Sequence, residues 1–228
     1  MAQAVAFGAV ASTALVVGAA IGARWTLPEH VYAVLLAFAG GALLSALAFE
    51  LFLEAEEQGG VARAAVGLVA GATTFIVIDA FLLAHIRGSA VSLALLAAVT
   101  LDGVPENLAL GISLVDGASY ALLVAIFASN LPEAAGSATR MRDEGRSSAF
   151  ILGVWGATAL LLALSVVAGA GVSDRVSGGM LAVMLGFAGG AVLATLANTV
   201  FPEAFEHGGP YVAFATVVGF LVSYVIAG

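Results

Sequence analysis

The chain has 228 residues, a mean hydropathy of +1.11, a formal charge of −8 and only 10% charged residues, where a soluble domain carries roughly 25%. Lipid is therefore the expected solvent for most of it. The net charge of −8, with seven arginines and no lysine, argues against nucleic acid as a partner, since phosphate binding needs a basic face, and the absence of cysteine excludes disulfides, thiolate metal sites and cysteine nucleophiles.

A hydrocarbon core about 30 Å thick needs about 20 apolar residues per helix. Eight such spans are predicted, at about 4–23, 31–53, 61–85, 90–114, 118–139, 148–171, 178–201 and 210–227. The first begins near Ala4 without a basic start, so it reads as a span and not as a cleaved signal peptide. The breaks carry turn and charge signals: "ARWTLPEH", "EAEEQGG", "HIRG", "VDGAS", "RMRDEGRSS", "SDRVSGG" and "EHGGP". The expected fold class is an all-α membrane protein with one domain over 1–228. Arg24, Arg87, Arg140, Arg142 and Arg146 fall in the loops after spans 1, 3, 5 and 7, against Arg63 and Arg175 on the other side. Lysine and arginine accumulate on the cytoplasmic side. Both termini of a multi-pass protein of the cell membrane are then extracytoplasmic.

Two internal similarities organise the spans. "FAGGALLSALAFELFLEAEEQGG" (38–60) aligns without a gap on "FAGGAVLATLANTVFPEAFEHGG" (187–209). The copies belong to spans 2 and 7, which cross in opposite directions. Small-residue runs recur through helix packing alone, but the matched Glu-Ala-x-Glu-x-Gly-Gly ending goes beyond that bias. "DGVPEN" (102–107) and "SNLPEA" (129–134) likewise place Pro-Glu within spans 4 and 5. The expected architecture is a 3+2+3 inverted repeat: repeat 1 over about 1–87, a central pair over about 88–140 and repeat 2 over about 147–228. Inverted repeats with interrupted helices at the centre are a mark of secondary transporters.

The centre is chemically dense. Pro105 and Pro132 each remove a helical hydrogen bond, freeing the carbonyls of Leu101 and Ala128. Asp102 and Glu106 lie four apart and share a helix face, as do Ser129 and Glu133; Asn107 and Asn130 sit one step around. Each charge at a helix centre costs roughly 2.5–3.5 kcal/mol, so three carboxylates would cost roughly 8–10 kcal/mol by addition. No basic residue falls inside spans 4 or 5 as drawn, so the carboxylates are expected to be protonated or bound to a cation. Carboxylate, amide, hydroxyl and carbonyl are hard ligands suited to Mg, Ca and Mn, and able to hold Fe or Zn. The competing reading is packing, in which the prolines kink helices and protonated glutamates bond across the interface.

Eight spans, external termini, the 3+2+3 repeat and Pro-Glu in both spans 4 and 5 resemble the ZIP (Zrt/Irt-like) metal transporters over essentially the full length. In that family span 4 typically reads His-Asn-x-Pro-Glu-Gly, and a similar motif on span 5 completes a metal site, often binuclear. By position the histidine falls on Asp102, the asparagine on Gly103, the glutamate on Glu106 and the glycine on Asn107. On span 5 the polar pair falls on Ser129 and Asn130 and the glutamate on Glu133. The span 7 pattern Glu-x-x-Pro-Glu here reads Thr199 to Glu203 without the first glutamate, and the acid common in span 6 is missing. The resemblance implies a divalent cation, Zn, Mn or Fe, carried as substrate toward the cytoplasm. The departures imply one central ion instead of two. The expected ligands are Asp102, Glu106, Ser129, Asn130 and Glu133, with Asn107 as a further candidate. No enzymatic activity and no organic cofactor are expected, and a homodimer is compatible with this reading. Two alternatives stay open: a proton-coupled transporter of an organic solute, and a non-transporting membrane protein with a structural ion site.

Outside the centre, Glu54, Glu56 and Glu57 on one side and Glu203, Glu206 and His207 on the other read either as cation-gathering vestibules or as solvated helix ends. Glu50 and Asp79 are embedded in apolar sequence, Asp79 as a proton-relay or packing candidate. His30, His85 and His207 all fall in loops.

Overall fold

The computed structural model describes residues 1–86, 91–114, 119–173 and 175–228, with side chains described for all of these except 82–86, 91–95 and 98. The predicted breaks around Arg87 and over 115–118, together with Asp174 and the side chain of His85, lie outside these residues. Among the described residues all regular secondary structure is helical. The helices are α1 (Ala2–Gly22), α2 (Glu29–Gly59), α3 (Val61–Ile86), α4 (Val91–Ser113), α5 (Tyr120–Asp143), α6 (Ser148–Ser173), α7 (Gly178–Thr195, continued by Leu196–Val200 and Phe201–Gly208) and α8 (Val212–Ala227). Six described stretches are long and apolar enough to cross a membrane, the last being the 50 residues from Gly178 to Ala227. Large apolar side chains such as Val66 and Val69 on α3, Leu160 on α6 and Phe214 and Val225 on α8 point outward. Such an all-round apolar surface suits lipid.

α2 and α7 run well past their predicted spans. α2 continues to Gly59 and α7 to Gly208, because the acidic ends "EAEEQ" and "EAFEH" carry on the helix where water can solvate them. Each ends at a glycine with positive φ, Gly60 at 86° and Gly209 at 66°, a conformation that side-chain-bearing residues rarely adopt. Each also contains a π-helical turn, Leu47–Phe52 in α2 and Leu196–Val200 in α7. Leu47 and Leu196 are matched positions in the aligned segments. π turns sit mostly inside α-helices and often near functional sites.

Close backbone contact at glycine holds the bundle together. A Cβ added at Gly41 on α2 would meet the Thr216 carbonyl of α8, and one at Gly219 on α8 the Phe38 carbonyl of α2. Gly71 on α3 and Gly190 on α7 meet the carbonyls of Phe187 and Leu68 in the same reciprocal way. Gly111 on α4 and Gly169 on α6 do so with Val166 and Leu108, while Gly18 and Gly22 on α1 meet Leu131 and Ala135 of α5. Lipid tails are as apolar as leucine, so close packing rather than the hydrophobic effect joins helices in a bilayer, and small residues permit it. The resulting neighbours are α1 with α5 and α6, α4 with α6, α2 with α8, and α3 with α7. The contacts of α2 with α5 and α7, and of α4 with α5 and α7, form the centre.

Filling one of these contacts should loosen the bundle. Gly41→Val and Gly190→Val are each expected to destabilise the protein by about 1–3 kcal/mol, the usual cost of overpacking, read as a lowered unfolding midpoint in detergent. Gly153→Val, at a glycine with open space around it, should leave the midpoint close to that of the parent.

Candidate functional site

Four helices contribute stripes of side chains at helical spacing to one internal path. α4 presents Val99, Asp102, Gly103 and Glu106; α5 presents Ser129, Asn130, Glu133, Ser137 and Arg140; α7 presents Val192, Thr195, Leu196, Thr199, Val200 and Glu203; α2 presents Tyr32, Leu36 and Leu43. Every stripe follows i, i+3/i+4, i+7 recurrence, one face of each helix.

The innermost pocket, about 10 Å³, holds Asp102, Glu106, Ser129, Asn130 and Glu133 together with Thr195 of α7. Five of the six residues expected at the site are therefore brought together. Asn107 is not among the lining residues: it is fully buried, and its amide donates to the Gly103 carbonyl on its own helix at 2.8 Å. A second cavity, about 40 Å³, shares Val99, Asp102, Glu133 and Thr195 with the first and continues along Ser137 and Thr199 to Tyr32, Arg140 and Glu203. A third, beside Thr26, Glu29 and His207, shares Tyr32 and Arg140 with the second. The polar lining thus runs from Glu106 to the end of the bundle that carries the last turn of α5.

On the other side of Glu106 the interior is dry. Leu43, Leu47, Leu110, Leu122, Ile126 and Leu196 belong to one buried apolar cluster. Leu110 lies one turn beyond Glu106 and Ile126 one turn before Asn130, both away from Arg140.

The unpartnered polar atoms mark where a ligand fits. Asp102 Oδ1, Asn130 Nδ2 and Ser137 Oγ are buried and have no hydrogen-bond partner. An unsatisfied buried polar atom costs about 1–3 kcal/mol, which a water or an ion in the cavity would offset. Ser129 donates its proton to the Ile126 carbonyl at 3.1 Å, and Thr195 to the Ala191 carbonyl at 3.1 Å. Their oxygen lone pairs remain available to a cation. Glu106, Ser129 and Asn130 are 5%, 2% and 2% exposed, so an ion held there leaves water almost completely. Among the described residues no group of three Asp, Glu or His side chains stands close enough to hold one ion. In this conformation the carboxylates line the path without closing into a cage.

The structure corrects the sequence reading at Arg140 and at the histidines. The predicted spans leave Arg140 in a loop and no basic group near the acids. Instead α5 runs on to Asp143 and Arg140 lines the same cavity as Asp102 and Glu133. The signal was present: Arg140 lies seven residues, two turns, after Glu133 and on the same face. His207, expected in a loop, lies in the last turn of α7 and packs edge-on against Tyr32 with ring centroids 5.9 Å apart. His30, also expected in a loop, lies in the first turn of α2 and is exposed, and Glu50 and Asp79 are partly buried. Tyr32, Ser137 and Thr195 were missed because their own windows carry nothing unusual for a helix.

Gly103 packs closely against α6. A Cβ there would meet the Leu162 side chain of α6 at 2.8 Å. α6 has filled with leucine the space that a longer side chain on α4 would need. No protein-family model matches the chain, and no curated protein matches it.

Gly103→Asn is expected to lower thermal stability by about 1–3 kcal/mol, as overpacked sites do. Gly103→Asn with Leu162→Ala should recover much of that loss. Unfolding midpoints of the two single variants and the double variant measure the coupling, and strict additivity would remove the clash from the explanation.

Proposed function

We propose that the protein is a ZIP-like secondary transporter that moves a divalent metal cation across the membrane toward the cytoplasm. The observation that carries this reading is the lining of one buried pocket by three carboxylates and three neutral oxygen-bearing side chains on α4, α5 and α7, continuous with a polar path to one end of the bundle. The ligand types are those preferred by hard cations. Size favours an ion over the organic-solute alternative: small-molecule pockets measure roughly 300–1,000 Å³, against about 40 Å³ for the larger of the two joined cavities. The continuation of the path past Ser137 and Thr199 favours passage over a purely structural ion.

The 3+2+3 arrangement is part of the proposal. A 50-residue helix at 1.5 Å per residue would be about 75 Å long, more than twice the hydrocarbon thickness. Gly178–Ala227 is therefore counted as two crossings, broken at Gly209. Exchanging α1, α2 and α3 for α6, α7 and α8, and α4 for α5, maps each major helix contact onto another: α2–α8 onto α3–α7, α1–α5 onto α4–α6, α2–α5 onto α4–α7. The matched π turns and the matched glycines at 60 and 209 support the same operation.

In this mechanism Glu106 and Glu133 provide the charge that draws the ion from water, Asp102 stands at the junction of the two cavities, and Ser129 and Thr195 supply neutral oxygens. The apolar side of the path and its polar side differ as the two halves of an alternating-access cycle do, the polar side being the one along which the ion would leave the site. Pro105 and Pro132 sit inside continuous helices, where a missing backbone bond lowers the cost of bending α4 and α5.

Proteoliposomes loaded with a metal-sensitive dye should take up at least one of Mn(II), Fe(II), Zn(II), Co(II) and Cd(II). Glu106→Gln and Glu133→Gln should each cut that uptake about tenfold or more, the factor for about 1.4 kcal/mol of lost ion binding. Uptake unchanged in both variants would exclude the central site.

A further inference from the structure

We infer that Tyr32, Arg140 and Glu203 form an ionic gate across the path, opened when a cation displaces Arg140 from Glu203. This rests on the transport reading above, and its test separates the two. Tyr32 and Arg140 line both the cavity that holds Asp102 and Glu133 and the outer cavity beside Glu29 and His207. They are the wall between these two spaces. The wall is tied together at one atom: Arg140 Nη2 pairs with Glu203 Oε1 at 2.5 Å, and the Tyr32 hydroxyl donates to the same oxygen at 3.0 Å. Three helices, α2, α5 and α7, therefore meet at a single carboxylate oxygen.

The geometry suits a device that opens. Arg140 and Glu203 side chains are 39% and 19% exposed, so the pair is half-wet, and exposed pairs contribute little net stability. An ion leaving Asp102 and Glu133 is attracted by Glu203 and repelled by the guanidinium. It competes with Arg140 for one oxygen, so binding of the ion and closure of the gate exclude each other. Space for the tyrosine is built in: a Cβ at Gly136 would stand 2.8 Å from the Tyr32 hydroxyl.

The other end of the path is built differently among the described residues. Extended without a gap beyond their ends, the internal alignments set Tyr32, Glu203 and Arg140 against Leu181, Glu54 and Ser113. Glu54 accepts a hydrogen bond from Gln58 on its own helix at 2.7 Å, and Ser113 donates to the Leu110 carbonyl at 3.0 Å. Closure there is by apolar packing, and closure at the arginine-bearing end is by charge.

The absence of native cysteine allows a direct test. A single reporter, Ser137→Cys or in a second series Thr199→Cys, lies on the inner side of the wall. Its modification by a membrane-impermeant methanethiosulfonate reagent, added from the side of Arg140, reports whether the gate is open. Arg140→Gln and Glu203→Gln are expected to raise the modification rate about tenfold at both reporters, equivalent to ~1.4 kcal/mol of lost closure. Tyr32→Phe should raise it less, and Arg140→Lys should hold it near the parent value. A saturating transported metal should raise the rate in the parent and leave it unchanged in Arg140→Gln. Rates in Arg140→Gln equal to the parent at both reporters overturn the gate, whatever the uptake. Faster modification in vesicles that move no metal keeps the gate and removes the transport reading. Monodisperse elution and an unchanged unfolding midpoint exclude general loosening, which would raise the Arg140→Lys rate as well.

Discussion

The contact on which the rest of the structure depends is the meeting of glycine Cα with a carbonyl of the neighbouring helix. It recurs between α2 and α8, α3 and α7, and α4 and α6, in each case reciprocally. In a bilayer nothing expels a helix from lipid except a better fit against another helix. These points of close approach lock the outer helices onto the inner ones and leave α2, α4, α5 and α7 facing a common centre. A path with polar walls can exist there because the rigid outer contacts keep its four helices from collapsing onto it.

That centre has two kinds of wall. Leucine, isoleucine and valine close one end by packing, which leaves no oxygen for an ion. Carboxylates, hydroxyls and an amide line the other, and three of their buried polar atoms lack partners. Such atoms are tolerated where water or an ion has room to enter. The same four helices thus pass from a dry seal to a hydrated lining within a few turns, the arrangement that an alternating-access cycle would invert.

The two aligned segments, 38–60 and 187–209, share more in backbone than in side chains. Matched π turns and matched positive-φ glycines show how far the copies share backbone geometry. Tyr32 against Leu181 and Arg140 against Ser113 show where the matched positions diverge in chemistry, while Glu203 and Glu54 stay the same. The divergence falls at the two ends of the path, where opposite sides of a membrane would require different seals.

The membrane environment, the helical class, the paired segments and the central carboxylates were legible from the order of residues. Each depends on local patterns: twenty apolar residues in a row, an ungapped repeat, or charges four apart on one helix face. Five of the six expected site residues line one pocket for the same reason, since Asp102 and Glu106, or Ser129 and Glu133, need only their own helix to converge. What the tertiary structure alone decided lies between helices. Asn107 turned out to bond its own backbone, Leu162 to occupy the space beside Gly103, and Arg140 to reach back into the path to meet Glu203 from 63 residues away in sequence. No local periodicity encodes such meetings, because they follow from the rotation of each helix about its axis, and that rotation is set by glycine contacts with distant parts of the chain.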